Sequence, residues 1–150
     1  LVGSYSIIYN SWLRDRVRKE ASLSHYNEQN MLSMYALIGA YQSEGYEWLE
    51  ELRQVLRGNV DYACDFIRDN FPGVHFSKPQ GTYMLFVDCT EWCAAHHKTL
   101  DEVLAAAWAV GVAFQDGRPF HGECSIRINL ALPRSRVEEA FDRLAKYVFN

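Results

Sequence analysis

The chain has 150 residues, of which 49% are hydrophobic and 14% aromatic, enough to build a packed core and too apolar for a disordered segment. Its formal net charge of -4 offers no long-range attraction to nucleic acid or to an anionic membrane, and leaves only small anions held by local sites. There is no basic leader, no small-residue cleavage site and no apolar run near the roughly 20 residues of a membrane span; the four cysteines are too sparse for a disulfide scaffold, so a soluble cytoplasmic protein with free thiols is expected.

The sequence opens at Leu1 without methionine, directly ahead of an expected strand over residues 4–9, as if cut from a longer polypeptide. Ser11 is placed to cap a short helix through about Glu20, with Asp15 and Lys19 at a supportive spacing and Arg14, Arg16 and Arg18 as a solvated basic face. A second helix over residues 30–42 follows from Leu32, Tyr35, Ala36, Gly39 and Ala40. A third, much longer one carries Trp48, Leu52, Val55, Asn59, Tyr62 and Phe66 at helical spacing, and ends at Pro72-Gly73. At roughly 1.5 Å per residue such a helix exceeds the width of one layer and suits a bridge between two domains.

The second half mixes periods. Residues 82–88, TYMLFVD, are apolar on both faces, as a central strand is. Thr99 with Glu102 forms a capping box for a helix with a Leu100, Val103, Leu104 and Ala107 stripe ending at Gly111, and a short strand is expected over 112–114. A loop, QDGRPFHGE, leads into a strand over 124–130; Pro133 ends it, and Ser135 with Glu138 reads as the capping box of a final amphipathic helix. Strands and helices in this order make an α+β layer.

Along residues 124–130 side chains alternate, so Cys124, Ile126, Ile128 and Leu130 share one face while Ser125, Arg127 and Asn129 share the other. A guanidinium on a rigid strand, with Asn129 beside it and apolar residues behind, suits a planar carboxylate gripped by two parallel hydrogen bonds. Competing sites are weaker. Cys89, Cys93, His96 and His97 crowd one short stretch without a second ligand pair, so no metal is expected and these are read as incidental surface residues. His121 is read as an exposed loop residue. No dinucleotide fingerprint, P-loop or nucleophile elbow is present.

The run SIRINLALPRSRVEEAFDRL resembles the C-terminal signature of fold-type I, pyridoxal-phosphate-dependent aminotransferases of class I and II. KPQGTYMLFVD, LAAAWAVGVAFQDGRPF and GYEWLEELRQVLRGNVDYACDFI agree in order and spacing. GYEWLEELRQVLRGN together with GRPFHGECSIRINLALPR looks most like the MalY/PatB branch, the cystathionine β-lyases or carbon-sulfur lyases.

The resemblance implies an α/β protein: an α+β C-terminal small domain with an antiparallel-rich sheet and helices on one face over 46–150, and a helical trailing part of the large cofactor domain over 1–45. It implies that Arg127 binds a substrate α-carboxylate, with Asn129, Phe120 and Gly117 around it, and that the parent enzyme is a homodimer using pyridoxal 5'-phosphate on an amino acid. The Schiff-base lysine would lie upstream of Leu1, since Lys19, Lys78, Lys98 and Lys146 do not match its context, so the chain alone is expected to be inactive and not to hold the cofactor. The rival from another class is a free-standing, non-catalytic small-molecule sensor or interaction module using the Arg127 face.

Overall fold

The computed structural model describes residues 5–24 and 30–150, and the chain divides into two compact units, Leu1–Glu50 and Glu51–Asn150. In the first, helix α1 spans Ser11–Ser24 and α2 spans Met31–Ala40. The cap of α1 is Asn10 rather than Ser11: its Oδ1 accepts from the Leu13 N–H at 2.9 Å, which satisfies one of the orphan donors of the first turn. Asn30 does the same for α2, accepting from the Leu32 N–H at 2.8 Å. The strand expected ahead of α1 is absent over residues 5–9, where no described strand pairs with it, and Ser4 lies outside the described residues.

Helix α3, Ser43–Asn70, runs for 28 residues and so is roughly 42 Å long. Its amphipathic stripe is buried in the second unit through Val60, Ala63, Cys64 and Ile67. The remaining elements follow as strand β1 His75–Phe76, β2 Met84–Asp88, α4 Thr90–Ala95, α5 Leu100–Ala109, β3 Gln115–Asp116, β4 Ser125–Asn129 and α6 Arg134–Tyr147.

The strands form one antiparallel sheet in the order β1-β2-β4-β3. Leu85 and Val87 of β2 and Ile126 and Ile128 of β4 are buried in a single core with residues of α3, α5 and α6, so helices cover one face of the sheet. The opposite face carries Met84 and Phe86 of β2 and Arg127 of β4, with Phe86 directly opposite Arg127 and still 41% exposed. Both faces of β2 are apolar, as its sequence suggests, yet only one is covered among the described residues.

The Thr99 and Glu102 capping box forms as expected, with the Glu102 Nα–H on Thr99 Oγ1 and the Thr99 N–H on Glu102 Oε2. The second one does not: α6 begins after Pro133, and Glu138 is taken by Arg134 Nε at 2.7 Å instead of capping. The strand expected over 112–114 forms instead just after it, at Gln115–Asp116, where it pairs with β4.

One buried polar side chain holds these parts in register. Asn59 of α3 is 1% exposed, and its Nδ2 donates to the carbonyls of both Leu130 and Leu132 at 2.9 Å. It thereby satisfies the chain as it leaves β4, where Leu130 N–H already donates to the Tyr83 carbonyl. Beside it, Arg134 lies over the Tyr62 ring at 4.1 Å and donates to the Gly58 carbonyl, a second tie between α3 and the same turn. Asn59→Leu keeps the number and branching of side-chain heavy atoms and removes both donors, stranding two carbonyls, at a cost of about 2–4 kcal/mol. Urea denaturation of the variant reads this directly, and a loss below about 0.5 kcal/mol would refute the role given to Asn59.

Candidate functional site

Arg127 sits at the centre of β4 and belongs to the open face by strand alternation alone. Phe86 of β2 and Gln115 of β3 are its cross-strand partners on either side. Arg127 is half-buried as a residue, and among the described residues no carboxylate pairs with its guanidinium. Its one described partner is the ring of Phe120, whose centroid lies 3.9 Å from Cζ. Several other arginines of this unit are neutralised: Arg68 by Asp65, Arg134 by Glu138, Arg136 and Arg143 by Glu139. An arginine that is desolvated in part, stacked, and left without an acid keeps its in-plane N–H donors for an external anion.

Phe120 reaches Arg127 because the segment between β3 and β4 folds back on the sheet. Arg118–Phe120 form a single 3-10 turn, closed by Phe120 N–H and Gly122 N–H donating to the Gly117 carbonyl. The Gly117 N–H donates to the Ser125 carbonyl at 2.8 Å. Two glycines are required by this close approach. A Cβ on Gly117 would lie 2.3 Å from the Ser125 carbonyl oxygen, and one on Gly122 would lie 2.6 Å from the Phe86 ring and from Ser125 Cβ.

Of the residues expected from the sequence, the structure brings Arg127 and Phe120 into contact and makes Gly117 a backbone support for the strand. Asn129 lies on the same face as Arg127, but its Oδ1 is engaged by the Ala131 N–H at 2.8 Å, so its amide nitrogen is what remains to donate. His121 is exposed, as expected, and adopts a left-handed backbone (φ 64°). Residues not singled out from the sequence are Phe86, Asp116, Arg118 and Asp101. Phe86 was legible, since it shares the two-residue period of Met84 and Asp88, while the others are joined only by folding.

Residues 2–144 match the family "Aminotransferase class I and II". Protein MalY of Escherichia coli strain K12 is 33% identical over 147 residues, which cover 93% of this chain and 35% of that protein. An aspartate aminotransferase of Geobacillus stearothermophilus is 28% identical over 148 residues, 96% of this chain and 37% of that enzyme. The solved structure of a pyridoxal-phosphate-bound C-S lyase from Staphylococcus hominis superposes with a TM-score of 0.77 at 26% identity, covering 96% of this chain and 36% of that one. The chain thus spans about a third of the length of the curated relatives it matches.

The cysteine-histidine stretch divides: His96 and His97 are exposed surface residues as expected from the sequence, whereas its two cysteines are not. Cys89 and Cys93 are buried at the start of α4 and within it. The Cys89 N–H donates to the Cys124 carbonyl at 2.9 Å. His96 stacks on Trp92 with ring centroids 4.3 Å apart. No group of His, Cys, Asp or Glu among the described residues is arranged to hold a metal ion. Burial, then contact with the Cys124 thiol, pushes the Cys93 thiol up to about 12, and burial pushes Cys89 up as well.

Such thiols stay protonated in the folded chain long after they ionise in the unfolded one. The unfolded state therefore binds fewer protons above pH ~8.5, and stability falls as pH rises from there towards about 12, by ~1.4 kcal/mol per pH unit for each thiol. Denaturation midpoints followed from pH 8 to 10 should show this fall, and Cys93→Ala should flatten part of it. An identical slope in Cys93→Ala would remove the thiol from the account.

Proposed function

Because this chain belongs to the aminotransferase class I and II family, whose members are amino-acid enzymes with pyridoxal phosphate as cofactor, we propose that its Arg127 face is the substrate-carboxylate half of such an enzyme's active site. The observation that carries this reading is the guanidinium of half-buried Arg127 on a central strand, held over the Phe120 ring and without a described acid partner. Its fork takes both oxygens of an amino acid's α-carboxylate, and the Asn129 amide supplies a further donor two residues along the same face. Met84 and Phe86 form an apolar floor that keeps water from competing for those donors.

The second unit does not fit the cofactor itself. Lys78 is paired with Asp61 at 2.6 Å and Lys98 with Glu102 at 3.6 Å, and Lys146 lies over the Tyr147 ring. None of these lysines belongs to β2, β3 or β4, the strands that carry the Arg127 face. In this reading, residues 1–45 trail from the cofactor domain, 46–150 form the small domain, and the 150-residue chain alone turns over no amino acid. The whole enzyme acts on a small amino-acid substrate as a cytoplasmic homodimer, either transferring the amino group or cleaving a β-carbon-sulfur bond. Both kinds of enzyme stand among the relatives.

In the whole enzyme, Arg127→Lys keeps the charge and loses the fork, so kcat/KM for its amino acid should fall by about one to three orders of magnitude. Unchanged kinetics would take Arg127 out of the site. Treating the 150-residue chain with pyridoxal phosphate and then borohydride should yield no saturable, stoichiometric adduct at Lys78, Lys98 or Lys146 by peptide mass spectrometry. One such adduct would show that a lysine of this unit does hold the cofactor.

A further inference from the structure

At the start of the 3-10 turn, Arg118 is held between two carboxylates. Its Nε donates to both oxygens of Asp116, at 3.0 and 2.9 Å, and its Nη2 reaches Asp101 on α5 at 2.6 Å. The Arg118 backbone N–H closes on Asp116 Oδ1 at 2.9 Å as well. Pro119 follows, with its fixed φ, and then Phe120. The Phe120 ring is 49% exposed, so its position over Arg127 is not explained by burial in a core. Two features thus converge on one guanidinium: a rigid turn pinned at its base, and an aromatic ring presented at its tip.

We propose that this turn is a positioning device for Arg127, in which Phe120 fixes the plane of the guanidinium and the Asp101–Arg118–Asp116 cluster fixes Phe120. A free arginine side chain carries about 2 kcal/mol of rotamer entropy, much of which must be lost when a carboxylate is gripped in the bidentate mode. Stacking pays that loss beforehand, because a ring face occupies the guanidinium's face and leaves its edge, where the donors lie, open to the ligand. Phe120 therefore acts through Arg127 rather than on the substrate, and Asp101 acts on carboxylate binding from a different helix without touching the ligand. The inference rests on the reading of Arg127 as a carboxylate site and adds the structure that makes the site selective.

The test uses the 150-residue chain and sodium propionate as the probe, with propionamide as the uncharged control, followed at the Arg127 side-chain Nε–H resonance by NMR. In the wild type, the Phe120 ring should shift this resonance upfield, and propionate should perturb it while propionamide does not. Phe120→Leu should abolish the upfield shift and weaken propionate binding about three- to tenfold, whereas Phe120→Tyr, which keeps the ring face, should restore both. Asp101→Asn should weaken binding about twofold, as expected for the loss of an exposed ion pair. If Phe120→Leu binds propionate as the wild type does while Arg127→Lys loses the response, the positioning role is overturned and the carboxylate site stands. If Arg127→Lys binds propionate unchanged, the site itself is wrong. Should Phe120→Leu unfold, Phe120→Tyr and Asp101→Asn carry the comparison, and wild-type binding with no upfield shift would equally overturn the stack.

Discussion

The second unit depends on the grip of Asn59 on two backbone carbonyls. A buried amide is costly unless its donors are used, and this one uses both, on the Leu130 and Leu132 carbonyls. The contact joins residues more than seventy positions apart and fixes where the chain turns after β4. Because β4 runs straight into that turn, the same amide sets the height of Arg127 against Phe86 and Gln115. Arg134, stacked on Tyr62 and bonded to the Gly58 carbonyl, repeats the tie from the other side of the turn. The Arg127 face is thus located by a helix that contributes nothing to it.

The two faces of the sheet divide the work. On one, Leu85, Val87, Ile126 and Ile128 supply the apolar area that stabilises the unit. On the other, the same strands present a cation without an acid. The contrast with Arg118 shows what this means chemically: two carboxylates surround Arg118, which holds the Asp116 carboxyl below its usual range, and a guanidinium so enclosed is a structural rivet. Arg127 has an aromatic ring where Arg118 has acids, and a ring holds a guanidinium in place without using up its donors.

Much of this was legible because the relevant patterns are local. The alternation around Arg127, the Thr99 and Glu102 box and the helical stripes of α3, α5 and α6 depend on neighbours within a turn or two, and the family resemblance rests on the same segments. What was missed is either short or non-local. β1 has two residues and α4 has six, too few for a period to show. Asn59 fell on a hydrophobic stripe and was read as part of it, although a polar residue there required a partner from elsewhere in the chain. Glu138 had the spacing of a cap, but α6 begins ahead of Ser135, after Pro133, and Glu138 pairs with Arg134. The expected N-terminal strand had the right residue types without a described strand to pair with. The Phe120 contact has no periodic signature, though the glycines and proline around it marked a turn of special shape.

The alternation in β4 has an evolutionary corollary. Ile126 and Ile128 lie in the core while Arg127 between them faces out, and both Gly117 and Gly122 hold the preceding turn against Ser125 with no room for an extra atom. A one-residue insertion or deletion within β4, ahead of Arg127, that shifted its register would drive a guanidinium into the core and an isoleucine out of it. Length changes inside the strand cannot be neutral drift: they disturb the core and the Arg127 face in one step. Sequence variation in this segment is therefore confined to substitution, and its length should be among the most invariant properties of the polypeptide.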